Sequence, residues 1–309
     1  MQTMDPQVRS YLDMVAASGI PPLQELTPAQ ARQNTETAAP LLAGPPPPLD
    51  RVENRELAGV PVRIYAPDRQ SPMPVVAWFH GGGWVIGSLD THDAMCRRLA
   101  AAAGCMVVSV DYRLAPEHRF PAAVDDCWAV TAWLAEHGGE IGAAPERLAV
   151  GGDSAGGNLA AVMALRARDA GQRLRLQLLV YPVTDSDLDT PSSLRNATGF
   201  GLTRAGMAWF WDHYVPDAAG RAHPEASPLR AGSLAGTAPA HVVVCELDPL
   251  LDEGEAYARK LEADRVPVRL SRYAGMIHGF VRMFAVIDRS HDLMREMSEA
   301  LRKAFDGTA

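Results

Sequence analysis

Several runs of this chain are apolar almost without interruption: Pro74-Val-Val-Ala-Trp-Phe79, Cys105 to Tyr112, Leu148 to Val150, Leu174 to Val183 and His241-Val-Val-Val-Cys-Glu-Leu247. A strand with one wet face alternates apolar and polar residues, whereas an unbroken apolar run is buried on both faces. Helical stretches lie between the runs. Asp90 can cap one through about Ala103, Ala122 to Glu136 forms another, and Asn158 to Leu165, Asp252 to Asp264 and Ser290 to Phe305 follow. Val266 to Tyr273 reads as a terminal strand. Apolar strands alternating with helices specify an α/β architecture, with a mostly parallel central sheet flanked by helices.

The pattern is broken in two places. Residues 1–50 hold an amphipathic helix with Val8, Leu12, Val15 and Ala16 on one face, a second helix opening at Thr27-Pro28, and the stiff connector Gly44-Pro-Pro-Pro-Pro48. Residues 185–223 carry helix starts at Ser192 and Thr203 and the aromatic cluster Trp209-Phe-Trp211 with Tyr214. The two segments pair as a helical flap. The expected organisation is N-terminal cap helices at 1–50, core at 51–184, a cap insertion at 185–223 and core again at 224–309. The core opens with a hairpin, Val52 to Val60 and Val62 to Tyr65, turning at Ala58-Gly59.

Composition excludes several classes. The 309 residues carry a formal net charge of −8 with no Lys/Arg-rich block, which argues against nucleic acid or an anionic membrane as the main partner. The four cysteines, Cys96, Cys105, Cys127 and Cys245, show no C-x-x-C spacing and are expected to be reduced core thiols. With neither a signal-peptide pattern nor an apolar run of membrane-spanning length, a cytoplasmic location is expected.

Chemistry concentrates at Gly152-Asp-Ser-Ala-Gly156, between the run ending at Val150 and the helix from Asn158. This G-x-S-x-G spacing puts Ser154 on a sharp strand-to-helix turn with its hydroxyl exposed. A serine hydroxyl needs a base within hydrogen-bond reach, an acid to orient the base and donors for the oxyanion. Asp248 follows the strand ending at Leu247; its rivals Asp252 and Glu253 suit the first turn of the next helix. Of nine histidines, only His278 lies just after the terminal strand, following the acid in the chain and preceding a flexible Gly279. His80 competes, but its place before Gly81-Gly-Gly83 suits loop-anchoring hydrogen bonds. Side chains are absent at Gly81, Gly82 and Gly83, so backbone amides of this loop can crowd an oxyanion, and the Ala155 amide beside the nucleophile supplies another donor. No histidine pair has H-x-x-x-H spacing and neither glycine loop reads G-x-G-x-x-G, so no metal or cofactor is expected.

With these pieces in place, the sequence closely resembles the hormone-sensitive-lipase-like family of α/β-hydrolases, the bacterial family IV esterases. The matching stretches are His80-Gly-Gly-Gly-Trp84, Asp111-Tyr-Arg-Leu-Ala-Pro-Glu-His118 with Phe120-Pro-Ala-Ala123, Gly152-Asp-Ser-Ala-Gly-Gly-Asn158, Asp248-Pro-Leu250 and His278-Gly-Phe280. The resemblance implies an α/β-hydrolase fold with a helical cap, and a serine carboxylesterase with Ser154 as nucleophile, Asp248 as acid and His278 as base. It also implies Gly82, Gly83 and Ala155 as oxyanion donors with Gly81 supporting the loop, needs no cofactor, and is compatible with a homodimer. Arg113 and Glu117 are expected to form an ion-paired brace behind the site. The expected partner is a small-molecule ester of short to medium acyl chain, in a pocket lined by Trp84, Phe200, Met207, Trp209, Trp211 and Phe280. An amidase or peptidase would use the same triad, and a non-catalytic small-molecule receptor could share the fold; these alternatives stay open at the level of sequence.

Overall fold

The computed structural model describes residues 3–68 and 72–307. Among these residues eight strands make one sheet: β1 (Arg51–Leu57), β2 (Val60–Ala66), β3 (Met73–Phe79), β4 (Met106–Val110), β5 (Ala143–Asp153), β6 (Gln177–Val180), β7 (Ala240–Leu247) and β8 (Val268–Ile277). They lie in the order β1-β2-β4-β3-β5-β6-β7-β8. The β1–β2 and β2–β4 pairs are antiparallel, and every pair from β4 to β8 is parallel. The β1–β2 turn is Ala58-Gly59, both at positive φ (51° and 80°), the two-residue geometry that matches strand twist.

The helices are α1 (Pro6–Ala17), α2 (Pro28–Ala43), α3 (Asp93–Ala103), α4 (Ala122–His137), α5 (Ala155–Asp169), α6 (Pro191–Arg195), α7 (Arg204–Tyr214), α8 (Leu251–Ala263) and α9 (Arg289–Asp306). Strand β3 shows why the apolar runs do not alternate. Val75, Ala77 and Phe79 enter a core shared with α4, α5 and α8, while Val76 and Trp78 enter a second core with α3 and α9 on the opposite face. Both faces are thus covered, and each residue of the run has an apolar neighbour to meet. The four cysteines are buried and free, and burial pushes the Cys105 thiol up to about 12. Among the described residues no helix is long and apolar enough to cross a membrane.

Chain direction places the site. From β3 the chain crosses to β4 on one side and then returns to β5 on the other. The loops leaving β3 and β5 therefore part, opening a crevice at their carboxyl ends, which is where ligands bind in open α/β sheets.

Several boundaries differ from the sequence expectation. Helix α3 starts at Asp93 with no side-chain cap, and Asp90 instead pairs with Arg63 Nη1 at 2.8 Å. Helix α6 is capped by Thr190, with Pro191 in its first turn, rather than starting at Ser192. Strand β8 runs four residues past Tyr273. Between the pairs Cys245↔Tyr273 and Leu247↔Ile277, Ala274, Gly275 and Met276 oppose only Glu246. Gly275 takes φ 71° in this irregularity, and Glu246 Oε2 accepts from its amide at 2.9 Å. The expected Arg113–Glu117 brace does not form. Arg113 makes a forked contact with Asp126 on α4, and Glu117 receives Arg32 of α2 at 2.9 and 2.7 Å. Residues four apart face one another only on a helix, and the chain between these two is not helical.

Candidate active site

The turn carrying Ser154 is tighter than the sequence suggested: β5 continues to Asp153 and α5 begins at Ala155, leaving Ser154 alone between them. Its backbone sits at φ 58°, ψ −119°, a strained conformation for a residue with a Cβ. Glycines on either side make the turn possible. A Cβ on Gly156 would overlap the Phe79 carbonyl, and one on Gly152 would overlap the backbone of Gly156. The serine amide is tied to Val180 O at 2.9 Å.

Two other strand ends converge on this hydroxyl. Asp248 directly follows β7, and His278 directly follows β8. His278 Nε2 lies 2.8 Å from Ser154 Oγ, and its Nδ1 lies 2.7 Å from Asp248 Oδ2. A carboxylate only accepts, so Nδ1 carries the proton it donates to Asp248, and Nε2 is left to accept from the serine O–H. Asp248 is 1% exposed, and both its side chain and its backbone carbonyl are held. Its Oδ1 accepts from Leu250 N at 2.9 Å, and Asn196 Nδ2 donates to its carbonyl at 3.0 Å. The rivals Asp252 and Glu253 serve as acceptors for backbone, Asp252 from Ser192 N and Glu253 from Thr184 N, both at 2.7 Å. Burial drives the Glu253 carboxyl well above the usual range.

The loop after β3 faces Ser154 from the other side of the crevice. Gly82 and Gly83 adopt φ 124° and 56°, and a Cβ on Gly83 would overlap the Phe210 ring of α7. Among the described residues none accepts from the amides of Gly82 or Gly83, and the Ala155 amide is in the first turn of α5, where no helical partner exists. The loop is fixed from below. Gly81 N donates to Asp153 Oδ1 at 3.0 Å, and His92 Nε2 meets the same oxygen at 3.2 Å. Burial works to raise the Asp153 carboxyl, but His92, Arg282 and the Gly81 amide outweigh it and hold it at about 2. His80 anchors the loop as expected: Tyr112 Oη donates to its carbonyl at 2.7 Å, and its own ring stacks on Tyr112 with centroids 4.3 Å apart. Burial pushes the His80 imidazole down to about 3.

Known proteins share this arrangement of sequence and fold. The family profile described as the alpha/beta hydrolase fold matches residues 76–282. The chain belongs to the α/β-hydrolase fold family. It is similar to an ethyl acetate hydrolase of Pseudomonas putida, 37% identical over 97% of this chain and 99% of the relative. A carboxylesterase of Mycobacterium tuberculosis is 41% identical over 98% of this chain and 96% of its own length. Among solved structures, an ester hydrolase from the metagenome of Lake Arreo superposes with a TM-score of 0.95 at 38% identity, covering 98% of this chain and all of the other. The chain is a hormone-sensitive-lipase-like carboxylesterase.

A cavity of about 230 Å³ opens beside the hydrolase's Ser154 and His278. Gly82, Gly83, Phe210, Leu202, Met283 and Arg282 are among its walls. Trp84, Phe200, Met207, Trp209, Trp211 and Phe280, the six residues expected there, are not among the residues that line it. Trp84 and Trp211 are fully buried, Trp84 stacked on Tyr214 at 4.1 Å. Met207 and Phe280 are buried in the two cores, Phe200 packs on the second, and Trp209 lies against His213 at 4.3 Å. Helix α7 turns Met207, Phe210, Trp211 and Tyr214 inward at helical spacing, and of these Phe210 alone reaches the cavity. A helix with aromatics on several faces does not declare its rotation in sequence.

Sequence reasoning also passed over Asp153, Asn196, Tyr11 and Arg282, and gave His92 only a solvated or structural hydrogen-bonding place. Asp153 stood within the serine motif, but its acceptor role depends on a loop 72 residues away. Nothing local marks Asn196 as the residue that holds Asp248.

Proposed function

We propose that this carboxylesterase hydrolyses short- to medium-chain acyl esters with Ser154 as nucleophile, His278 as general base and acid, and Asp248 as the group that orients it. The supporting observation is the unbroken hydrogen-bond chain from Asp248 through His278 to Ser154, ending at the cavity wall. As the serine oxygen attacks the ester carbonyl, Nε2 takes its proton and the imidazolium is stabilised by Asp248. Gly82, Gly83 and Ala155 amides receive the developing oxyanion, with Gly81 held by Asp153 behind them. Nε2 returns the proton to the departing alcohol, and water repeats the sequence on the acyl-enzyme.

Two facts support short chains. The cavity is smaller than the roughly 300–1,000 Å³ usual for drug-sized ligands, and a relative similar over nearly the whole length is an ethyl acetate hydrolase. Residues 1–50 and 185–223 act as the cap in this reading: Tyr11 of α1, Leu23, Leu202 and Phe210 reach the cavity from those segments. Stopped-flow hydrolysis of p-nitrophenyl butyrate tests the mechanism. A burst of one p-nitrophenolate per folded chain is expected in the wild type and none in Ser154→Ala. A folded Ser154→Ala protein that still gives the burst removes Ser154 from the role.

A further inference from the structure

The proposed chemistry leaves one charged group on the cavity wall without a task. Arg282 ends the single 3-10 turn Phe280–Arg282, four residues beyond His278, and lines the cavity together with Ser154. Its Nε is buried and has no hydrogen-bond partner among the described residues. Among the described residues no carboxylate is ion-paired to it, although ion pairs engage many of the chain's other arginines. A guanidinium is always charged and offers five donors in a planar fork, and a buried donor left unmade is costly. The acid that feels its charge is Asp153, but the Asp153 oxygens are already taken up by the Gly81 amide and His92. Tyr11 also lines the cavity and lies within electrostatic reach of Arg282. Leu23, Ile86, Leu202, Phe210 and Met283 make much of the remaining wall apolar.

A plain alkyl ester makes no use of a fixed cation set among apolar side chains. A substrate carboxylate matches the fork in charge and shape, and low-dielectric walls strengthen the contact. We propose that Arg282 is a specificity-determining residue that binds a carboxylate carried by the substrate, so that the enzyme takes anionic esters of short chain. This rests on the reading of Ser154, His278 and Asp248 given above and adds the substrate class. The carboxylate belongs either to the acid half, as in a monoester of a short dicarboxylic acid, or to the alcohol half, as in an acylated short hydroxy acid. In both, the ester C–O bond breaks, water supplies hydroxyl to the acyl carbon and a proton to the alcohol, and the carboxylate is untouched.

Two isosteric pairs separate these sources: monoethyl glutarate against ethyl 5-methylhexanoate, and 4-acetoxybutanoate against 4-methylpentyl acetate. Hydrolysis is followed by pH-stat, and the quantity read is kcat/KM for the anionic ester divided by that for its neutral isostere. Arg282→Met is expected to lower this ratio roughly tenfold or more in one pair, as for a hydrogen bond to a charged group. The pair that responds identifies the half carrying the carboxylate. Arg282→Gln serves in the same comparison if the Met variant does not fold, and the neutral isostere absorbs any general damage. A ratio unchanged in both pairs overturns the proposal. Calorimetric titration of the two anionic esters into Ser154→Ala and into Ser154→Ala/Arg282→Met protein gives a readout free of turnover. Tighter binding by the protein that keeps Arg282 supports the carboxylate site; equal binding, or no binding to either, overturns it. Absence of wild-type turnover on all four esters and on p-nitrophenyl butyrate would count instead against the Ser154 mechanism, with the titration still deciding for Arg282.

Discussion

His278 and His92 each meet an aspartate near the carboxyl edge of the sheet, His278 Nδ1 at 2.7 Å from Asp248 Oδ2 and His92 Nε2 at 3.2 Å from Asp153 Oδ1. What differs is the second nitrogen. That of His278 reaches Ser154 Oγ, and its side chain is 11% exposed at the cavity wall. That of His92 meets Thr91 Oγ1 at 2.9 Å inside the protein, its side chain is 1% exposed, and burial pushes its imidazole down. A histidine–aspartate contact can act on a substrate only where the ring also faces a reacting group; otherwise it is a brace. Here the brace has its own use, since Asp153 also holds Gly81 and so the loop that faces the serine.

The sharpest way to break this contrast is to remove each partner. Ser154→Ala, His278→Ala and Asp248→Asn should each lower kcat on the order of 10⁴-fold or more, the Asn because it no longer selects the required tautomer. His92→Gln should not approach that loss; steady-state assays of the four proteins side by side would collapse the distinction if the His92 variant fell as far. Next comes Asp153→Asn, which frees the glycine loop. Misplacing an oxyanion donor should lower kcat on the order of 10²-fold with KM little changed. A rise in KM at constant kcat would show instead that Asp153 shapes binding.

The buried histidines should also appear in stability against pH. The native His80 value of about 3 lies below the unfolded value near 6.5, so the unfolded chain takes up a proton first. This stabilisation is present above pH 6.5 and drains away as pH falls toward 3, at about 1.4 kcal/mol per pH unit. Asp153, held at about 2, adds a further loss from its unfolded value near 4 downward. Urea denaturation at pH 7, 5.5 and 4 should show the first decline, and His80→Asn should flatten it; equal slopes would place the proton uptake elsewhere. The smallest effect belongs to the contact between α2 and Glu117. Glu117, at 54% side-chain exposure, faces Arg32 through solvent-screened space, so Glu117→Gln should cost about 1 kcal/mol or less by chemical denaturation. A much larger cost would make that pair part of the framework.

Much of the fold was legible because its determinants are local. Unbroken apolar runs such as Pro74 to Phe79 can only be covered on both faces, and Gly152-Asp-Ser-Ala-Gly156 permits a turn that larger residues would block. Asp248 and His278 could be picked out because strand ends are visible as the points where apolar runs stop. Legibility failed where rotation or distant pairing decides the outcome. The α7 aromatics were expected in the pocket, yet Trp211 packs inward and Phe210 reaches the cavity. Arg113 and Glu117 looked like partners by spacing and found Asp126 and Arg32 instead.

By itself the sequence determined the layered sheet, the serine turn, the glycine loop and the order in which acid and base follow, since each depends on steric limits and burial patterns within a few residues. Tertiary structure alone decided that Asp153 ties Gly81 to His92, and that Arg282 lines the cavity with its buried Nε unpaired among the described residues. Those outcomes turn on distances between strand ends far apart in the chain, and side-chain chemistry acquires its role there from what the fold brings within 3 Å.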